Sequence, residues 1–144
     1  MRHWKKSLLA LAVAATSLTG CGTPQETTKD NTVGVNRQQK FSVSSEAINA
    51  EASKAYSQVL AEARAKRVLD TNPAMVARVK RITNNLIAKT QAIRADAKTW
   101  PWEIHVITLD EMNAWCMPHG KMVIYSGLID QLKLSDAEIA QVMG

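Results

Sequence analysis

Two stretches of the chain beyond residue 43 show the spacing of helices that bury one face. Apolar residues recur at i, i+4, i+7 and i+11 from Ile48 to Val59, which predicts a first helix. Ser44 or Ser45 can cap this helix, and the run 70–73 ends it and begins a second one at Pro73. The apolar side of the second helix consists of Met75, Val79, Ile82, Leu86 and Ile93. The basic residues of the other side are Arg78, Lys80, Arg81, Lys89 and Arg94, and we interpret them as a solvated face.

The pattern changes after Trp100-Pro101-Trp102. Residues 102–109 are rich in β-branched and aromatic side chains and predict a strand. A short segment, 113–117, leads through the turn 118–120 into the apolar run 121–126, which predicts two strands paired antiparallel around that turn. Residues 128–132 predict a short helical turn. The predicted fold class is therefore α+β: a mainly helical N-terminal half followed by a small antiparallel sheet in the form of a hairpin.

The last ten residues carry a complete set of helix start signals. Ser135 is a good N-cap, Glu138 at the third helical position completes a capping box, and Leu134 can pack on Ile139. The sequence ends at Gly144 after about two turns, and a helix so short is marginal by itself. Gly144 is either the C-cap at a natural end or a residue inside a longer helix, and the strong start favours the second interpretation.

The N-terminus has the layout of a secretory signal peptide, which we assign to residues 1–20. A basic segment is followed by an apolar run from Leu8 to Ala15, about half the length needed to cross a bilayer. Residues 18–21 resemble the bacterial lipobox, which implies lipidation of Cys21 and a lipid anchor in the membrane. Gly22 after the cysteine implies the periplasmic side of the outer membrane. Residues 21–43 are polar and predict a flexible tether, and residues 44–144 form the folded domain.

Composition and charge narrow the function classes. The chain has 144 residues, 46% of them hydrophobic, which suffices for one globular domain. Its formal net charge is +5, but Arg2, Lys5 and Lys6 belong to the predicted signal peptide, and the remaining 15 basic and 13 acidic residues leave +2. A nucleic-acid partner, or a basic module that binds DNA or lipid, is therefore disfavoured.

No complete active site is visible in these residues. The chain contains no HExxH, CxxC, phosphate-binding glycine loop or GxSxG motif. His105 is expected to be a half-buried or surface histidine, and His119 a contact residue in the turn. Cys116 is either buried and inert or paired with a thiol outside this sequence, and we favour burial. A nucleophile and base formed by Cys116 and His119 is disfavoured because no third residue orients them.

The order of motifs from residue 100 to 144 resembles one family. Asn113-Ala114, the turn and strand, Gly127-Leu128 and the capped helix at 135 stand at the spacing found in the zinc metalloendopeptidases that include HtpX, the CAAX prenyl proteases and LoiP-like bacterial lipoproteins. In that family the helix that corresponds to the one capped by Ser135 here is the zincin active-site helix, and it leads straight into HExxH. Gly144 matches the residue before the first zinc-binding histidine. His119 departs from the pattern, since the family usually has glycine there.

The resemblance implies a zinc-dependent protease for the parent protein, with protein or peptide substrates, and an inactive fragment for these 144 residues. Neither catalytic residues nor metal ligands of the family fall within the chain, so zinc is expected in the parent protein only. An edge strand that pairs with extended substrate is expected in the hairpin. The substrate-binding candidates are Asn113, Ala114, Trp115, Pro118, His119 and Gly120.

A second hypothesis comes from another class of protein. The chain could end naturally at Gly144 and act as a non-enzymatic outer-membrane lipoprotein, an interaction or envelope-assembly module. The protease hypothesis predicts that the reading frame continues with HExxH, whereas this alternative predicts a stop codon.

Overall fold

The computed structural model describes residues 23–26, 34 and 38–144. The predicted signal peptide and the lipidation site Cys21 lie outside the described residues, as does most of the predicted tether. Within the described parts, no helix is both long and apolar enough to cross a membrane. In chain order the elements are β1 (Thr23–Glu26), β2 (Gln38–Phe41), α1 (Ser45–Ala65), α2 (Pro73–Thr90), a 3-10 helix (Ala95–Thr99), β3 (Glu103–Ile107), β4 (Ala114–Met117), β5 (Lys121–Tyr125), α3 (Ser126–Gln131) and α4 (Asp136–Met143).

Strands β1 and β2 pair antiparallel inside the segment 21–43 that the sequence predicts to be a tether. The pairing joins Thr23 to Phe41 and Glu26 to Gln38 through backbone groups, which a polar sequence supplies as well as an apolar one. The structure therefore contains a short ladder where irregular chain was expected. The function of the segment as a tether stays a prediction.

The two long helices begin where the caps predict. The Ser44 hydroxyl accepts from the backbone N–H of Ala47 at 3.2 Å, and the Asn72 side chain accepts from Met75 at 3.1 Å. Pro73 occupies the first turn of α2, where no intrahelical donor is needed. The prediction for Ile93 was wrong: α2 ends at Thr90, and Ile93 lies beyond it with 56% of its surface exposed.

The second sheet has three strands in the order β3-β5-β4. Strands β4 and β5 form the predicted antiparallel hairpin, with Met117 opposite Lys121. Strand β3 joins the other side of β5 in parallel, with Glu103 opposite Lys121. The α+β class is confirmed. The sheet is larger than the predicted hairpin because β3 pairs with the side of β5 that β4 leaves free.

Helices cover both faces of this sheet. On one face, Val79 and Ile82 of α2 and Ile139 of α4 pack with Val106 and Ile124 of the sheet. On the other face, α1 contributes a second cluster with the strands, consisting of Tyr56, Leu60, Ala63, Ile107 and Val123. The central strand β5 is buried on both faces, which explains its continuous apolar sequence. The sheet thus lies between α1 on one side and α2 with α4 on the other.

Candidate functional site

Strand β4 is an edge strand of the three-stranded sheet in the described part of the chain. The backbone N–H of Tyr125 donates to the carbonyl of Asn113 at 3.0 Å, so the peptide groups of Asn113 point toward β5. Trp115 and Met117, two and four residues later, face β5 in the same way, opposite Val123 and Lys121. Peptide groups alternate in direction along a strand. The N–H and C=O groups of Ala114 and Cys116 therefore point away from β5, and an extended chain could pair with them.

The side chains of β4 divide between the two faces of the sheet. Ala114 packs against the cluster that contains Ile139 of α4, whereas Trp115 and Met117 pack against the α1 cluster. Trp115 meets the Tyr56 ring edge to face, with centroids 5.9 Å apart. Strand β4 thus packs against both core clusters, and Trp115 contacts α1 through the Tyr56 ring.

The structure corrects the prediction that Cys116 is buried. Its side chain is exposed, on the strand that forms this edge of the sheet in the described part of the chain. The Sγ atom lies 3.4 Å from the carbonyl oxygen of Met117, and partial desolvation raises the pKa of the thiol. A raised pKa keeps the thiol protonated, which disfavours a nucleophilic role.

The turn between β4 and β5 consists of Pro118, His119 and Gly120. His119 and Gly120 both have left-handed backbone angles, with φ of 62° and 69°. This geometry explains why a glycine suits position 119 in the family pattern. Histidine is held there by a hydrogen bond of 2.8 Å between its Nε2 and the Asn49 side chain, and by stacking on Trp100 with centroids 5.6 Å apart. His119 is therefore engaged by these two residues, and no contact joins it to the thiol of Cys116.

The buried side chain of Lys121, the first residue of β5, stabilises the end of the turn. Lys121 is only 6% exposed, and its ammonium group donates to the carbonyl of Pro101 at 2.9 Å and pairs with the carboxylate of Glu103. The same ammonium lies 5.8 Å from the centroid of the Tyr56 ring, and the Tyr56 hydroxyl donates to the carbonyl of Met122 at 3.1 Å. Burial raises the pKa of that hydroxyl. These contacts fix the first residues of β5 and hence the register of β4.

The segment before β4 is also tightly held. Asn113 donates from its side-chain amide to Glu111 at 3.0 Å, while Gly127 and Ser126 at the start of α3 both donate to the carbonyl of Leu109. The side chain of Asn113 is therefore directed toward its own loop, and its carbonyl belongs to the β4–β5 ladder. Of the predicted substrate-binding residues, Ala114 and Trp115 lie on β4 itself, Asn113 precedes the strand, and Pro118, His119 and Gly120 lie in the turn.

Two arginines of the basic face of α2 also bind the first turn of α4, while Lys80 and Lys89 of that face are exposed. Arg78 donates to Asp136 at 2.7 Å and to the carbonyl of Leu134 at 2.7 Å, and Arg81 donates to the other oxygen of Asp136 at 2.9 Å. The predicted capping box of Ser135 and Glu138 is confirmed. Helix α4 is thus fixed at its start by its own cap and by α2.

We expect the stability contributed by Asp136 to disappear in acid. Hydrogen bonds from Arg78 and then Arg81 hold the pKa of Asp136 below its ordinary value. The unfolded chain therefore takes up this proton before the native state does, so the contribution is present above about pH 4 and is lost as the pH falls through the lowered native value. Thermal unfolding from pH 7 to 2 should show a wild-type midpoint above that of Asp136→Asn at neutral pH and equal to it at the acid end.

Other carboxylates titrate in the same range, so the difference between these two proteins is the informative quantity. Glu138 and Asp96 also have lowered pKa values, because of hydrogen bonds from Ser135 and Arg94 respectively. They remain in both proteins and cancel in the comparison. A gap between the two midpoints that stayed constant across the whole pH range would contradict the assignment.

The described residues contain no group of three or more histidine, cysteine or acidic side chains arranged to hold a metal ion. His105 is half-buried, as expected, and its Nδ1 lies 2.5 Å from Asp70, whose other oxygen accepts from the backbone N–H of Val106. Neither these groups nor His119 forms a zinc site. The described residues therefore do not fit a zinc ion, and what they supply is a sheet edge and a fixed helix.

Sequence reasoning missed three features of this region. Cys116 carries an outward peptide group of β4, Arg78 and Asp136 join α2 to α4, and Tyr56 supports β5 from α1. The outward peptide group of Cys116 could have been predicted only by assuming a register for the hairpin and counting alternate residues back from the turn. The other two contacts join residues that are 58 and 66 positions apart, and no local pattern signals them.

The described part of the chain is an α+β scaffold with an unpaired sheet edge at β4 and a firmly capped helix, α4. The model of peptidase family M48 matches residues 73–144, which is half of the chain and includes β3, β4, β5 and α4. The chain belongs to peptidase family M48.

Two metallopeptidases are similar to this chain in sequence. The chain is 28% identical to the metalloprotease YcaL of Escherichia coli strain K12 over 146 residues, which cover 96% of the chain and 51% of YcaL. It is 39% identical over 57 residues to the mitochondrial metalloendopeptidase OMA1 of Arabidopsis thaliana, which cover 40% of the chain and 12% of OMA1. The chain thus spans about half of YcaL and a smaller part of OMA1. No solved structure matches it.

Proposed function

We propose that the chain is the N-terminal part of a membrane-anchored, zinc-dependent metalloendopeptidase. The parent protein would cleave protein or peptide substrates, and envelope protein quality control is its expected role. The match to family M48 and the similarity to two metalloproteases support proteolysis as the general activity. A lipid anchor at Cys21 on the periplasmic side of the outer membrane remains part of the proposal, based on the lipobox.

The outer edge of β4, which has no strand partner among the described residues, is the observation that carries the proposal. A peptidase must hold its substrate extended, and an open strand does so through backbone hydrogen bonds that any sequence can make. The outward peptide groups of Ala114 and Cys116 lie at this edge, within the segment that matches the family. We therefore assign substrate pairing to these two residues, with Trp115 and the turn 118–120 fixing the strand.

We expect the chemical step to be carried by residues outside the described part of the chain. The described residues provide no ligand set for zinc, so we assign none of them a catalytic role. We expect the ligands in an HExxH motif after Gly144, in line with the family resemblance; two histidines there would hold the ion, and zinc would lower the pKa of a bound water. The contribution of this chain is to pair with substrate and to fix α4. The match to family M48 favours this function over a non-enzymatic lipoprotein.

Substitution of Cys116 by proline tests the assigned edge. Proline removes the outward N–H of residue 116 but no bond to β5, and edge strands tolerate it for that reason. We expect cleavage of a quenched fluorescent peptide by the zinc-loaded protein, expressed from its complete reading frame, to fall at least about tenfold, which corresponds to the loss of one hydrogen bond to substrate. The unfolding midpoint should change by only a few degrees.

Cys116→Val is the matched control, because valine also removes the thiol but retains the backbone N–H. It should keep most of the activity. If Cys116→Val lost as much activity as Cys116→Pro, the thiol and not the peptide group would be the important element. Cleavage that resists metal chelators would contradict zinc dependence itself.

A further inference from the structure

The sheet has a second edge, on the outer side of β3. Val106 is already paired there: its carbonyl accepts from the backbone N–H of Asp70 at 2.8 Å, and its N–H donates to the Asp70 carboxylate at 2.8 Å. The N–H of Thr108 donates to the carbonyl of Val68, which continues this pairing. The segment 68–70 thus adds to one end of β3 as a short antiparallel partner.

The other end of β3 has no partner on this outer side among the residues that the structure describes. The N–H of Glu103 points toward β5 and donates to the carbonyl of Gly120 at 2.9 Å, whereas the N–H and C=O of Val106 point away from β5. By the alternation of peptide groups along a strand, Ile104 also directs its N–H and C=O outward. No hydrogen bond of these two groups occurs within the described part of the chain. They lie in a groove between β3 and α2, whose lining residues are Lys80, Asn84, Trp102, Glu103, Ile104 and His105.

Among the described residues, the groove has one positive charge without an ion pair. Glu103 pairs with Lys121, and the Nδ1 of His105 with Asp70. Among the described residues, Lys80 has no ion pair, and it stands one helical turn before Asn84 on the exposed surface of α2. An ammonium and a side-chain amide one turn apart can together hold a carboxylate.

We propose that this groove is a binding site for an extended polypeptide that carries an acidic side chain. The backbone of the ligand would pair with the N–H and C=O of Ile104, and its carboxylate would bind to Lys80 and Asn84. The segment 68–70 shows that the edge of β3 can pair with an added chain segment, since Asp70 donates its N–H to the carbonyl of Val106 and accepts from the Val106 N–H with its carboxylate. The site lies on the edge opposite β4, goes beyond the proposed proteolytic function, and needs no metal.

A labelled peptide tests the proposal on the full chain without any assay of proteolysis. The probe is an eight-residue peptide of alternating valine and threonine with one central glutamate, and binding is followed by fluorescence anisotropy. We expect saturable binding, weakened at least about tenfold by Lys80→Glu and by exchange of the central glutamate for glutamine. N-methylation of the peptide backbone beside the glutamate should weaken binding as strongly, because it removes strand pairing.

Lys54→Glu is the matched control, because it makes the same charge change at an exposed position of α1, outside the groove. It should alter the affinity by less than about twofold. Both lysines are exposed, so the variants should unfold at the same midpoint as the wild type. The proposal is overturned by an absence of saturable binding up to about 1 mM peptide, by equal weakening in both lysine variants, or by binding that Cys116→Pro abolishes and Lys80→Glu does not. Failure of the proteolytic function would leave all these results unchanged.

Discussion

Gly127→Ala is expected to lower the free energy of unfolding by about 3 kcal/mol, the upper part of the range for overpacked sites. A methyl group at this position would lie 2.5 Å from the backbone nitrogen of Glu111 and 2.7 Å from the carbonyl carbon of Asp110. Both atoms belong to the backbone, so no side-chain rotation relieves the overlap. The loop must move away from α3, which also strains the bonds that the carbonyl of Leu109 accepts from Gly127 and Ser126.

A loss of stability on Gly127→Ala would be opposite to the usual effect of this substitution in a helix. Gly127 lies in α3, and in a helix alanine is normally more stable than glycine by about 1 kcal/mol. Urea unfolding followed by circular dichroism measures the difference. Asp130→Ala, at an exposed position of the same helix, is the control and should change stability by less than about 0.5 kcal/mol. If Gly127→Ala were neutral or stabilising, the close approach of the loop to α3 would be wrong.

Local signals in the sequence were sufficient to place most of the elements. The start of α4 depends on Ser135 and Glu138, three residues apart, and the start of α2 on Asn72 and Pro73, which are adjacent. Such caps act within one helical turn, so they can be recognised without knowledge of the fold. The turn residues before Lys121 predicted the β4–β5 hairpin for the same reason.

Features that depend on how distant segments meet could not be predicted. The parallel pairing of β3 with β5 depends on the path of the chain around the sheet, and the exposure of Cys116 depends on which segments cover the face of β4. The ion pairs of Arg78 and Arg81 with Asp136 likewise join segments that are distant in sequence. The choice of the hairpin as a substrate-binding edge stays a prediction, and the structure adds that the outward peptide groups are those of Ala114 and Cys116.

Gly120→Ala is the second substitution with a large expected effect, again about 3 kcal/mol. Gly120 has φ of 69°, a left-handed angle that costs other residues about 1–2 kcal/mol. In addition, a methyl group there would overlap the six-membered ring of Trp102, whose Nε1 donates to the carbonyl of Ala97 at 2.8 Å. His119 tolerates a similar angle because its ring gains contacts with Asn49 and Trp100, whereas an alanine at 120 gains none.

A double-mutant cycle separates the two causes. Trp102→Leu removes the ring that the new methyl group would overlap, so Gly120→Ala should cost only the backbone strain, about 1 kcal/mol, when it is made in the Trp102→Leu protein. The coupling free energy from urea unfolding of the four proteins should therefore be about 2 kcal/mol. Because Trp102 also lines the groove beside β3, the cycle is read from stability alone. A coupling near zero would show that strain of the turn accounts for the whole effect and that the ring does not lie against Gly120.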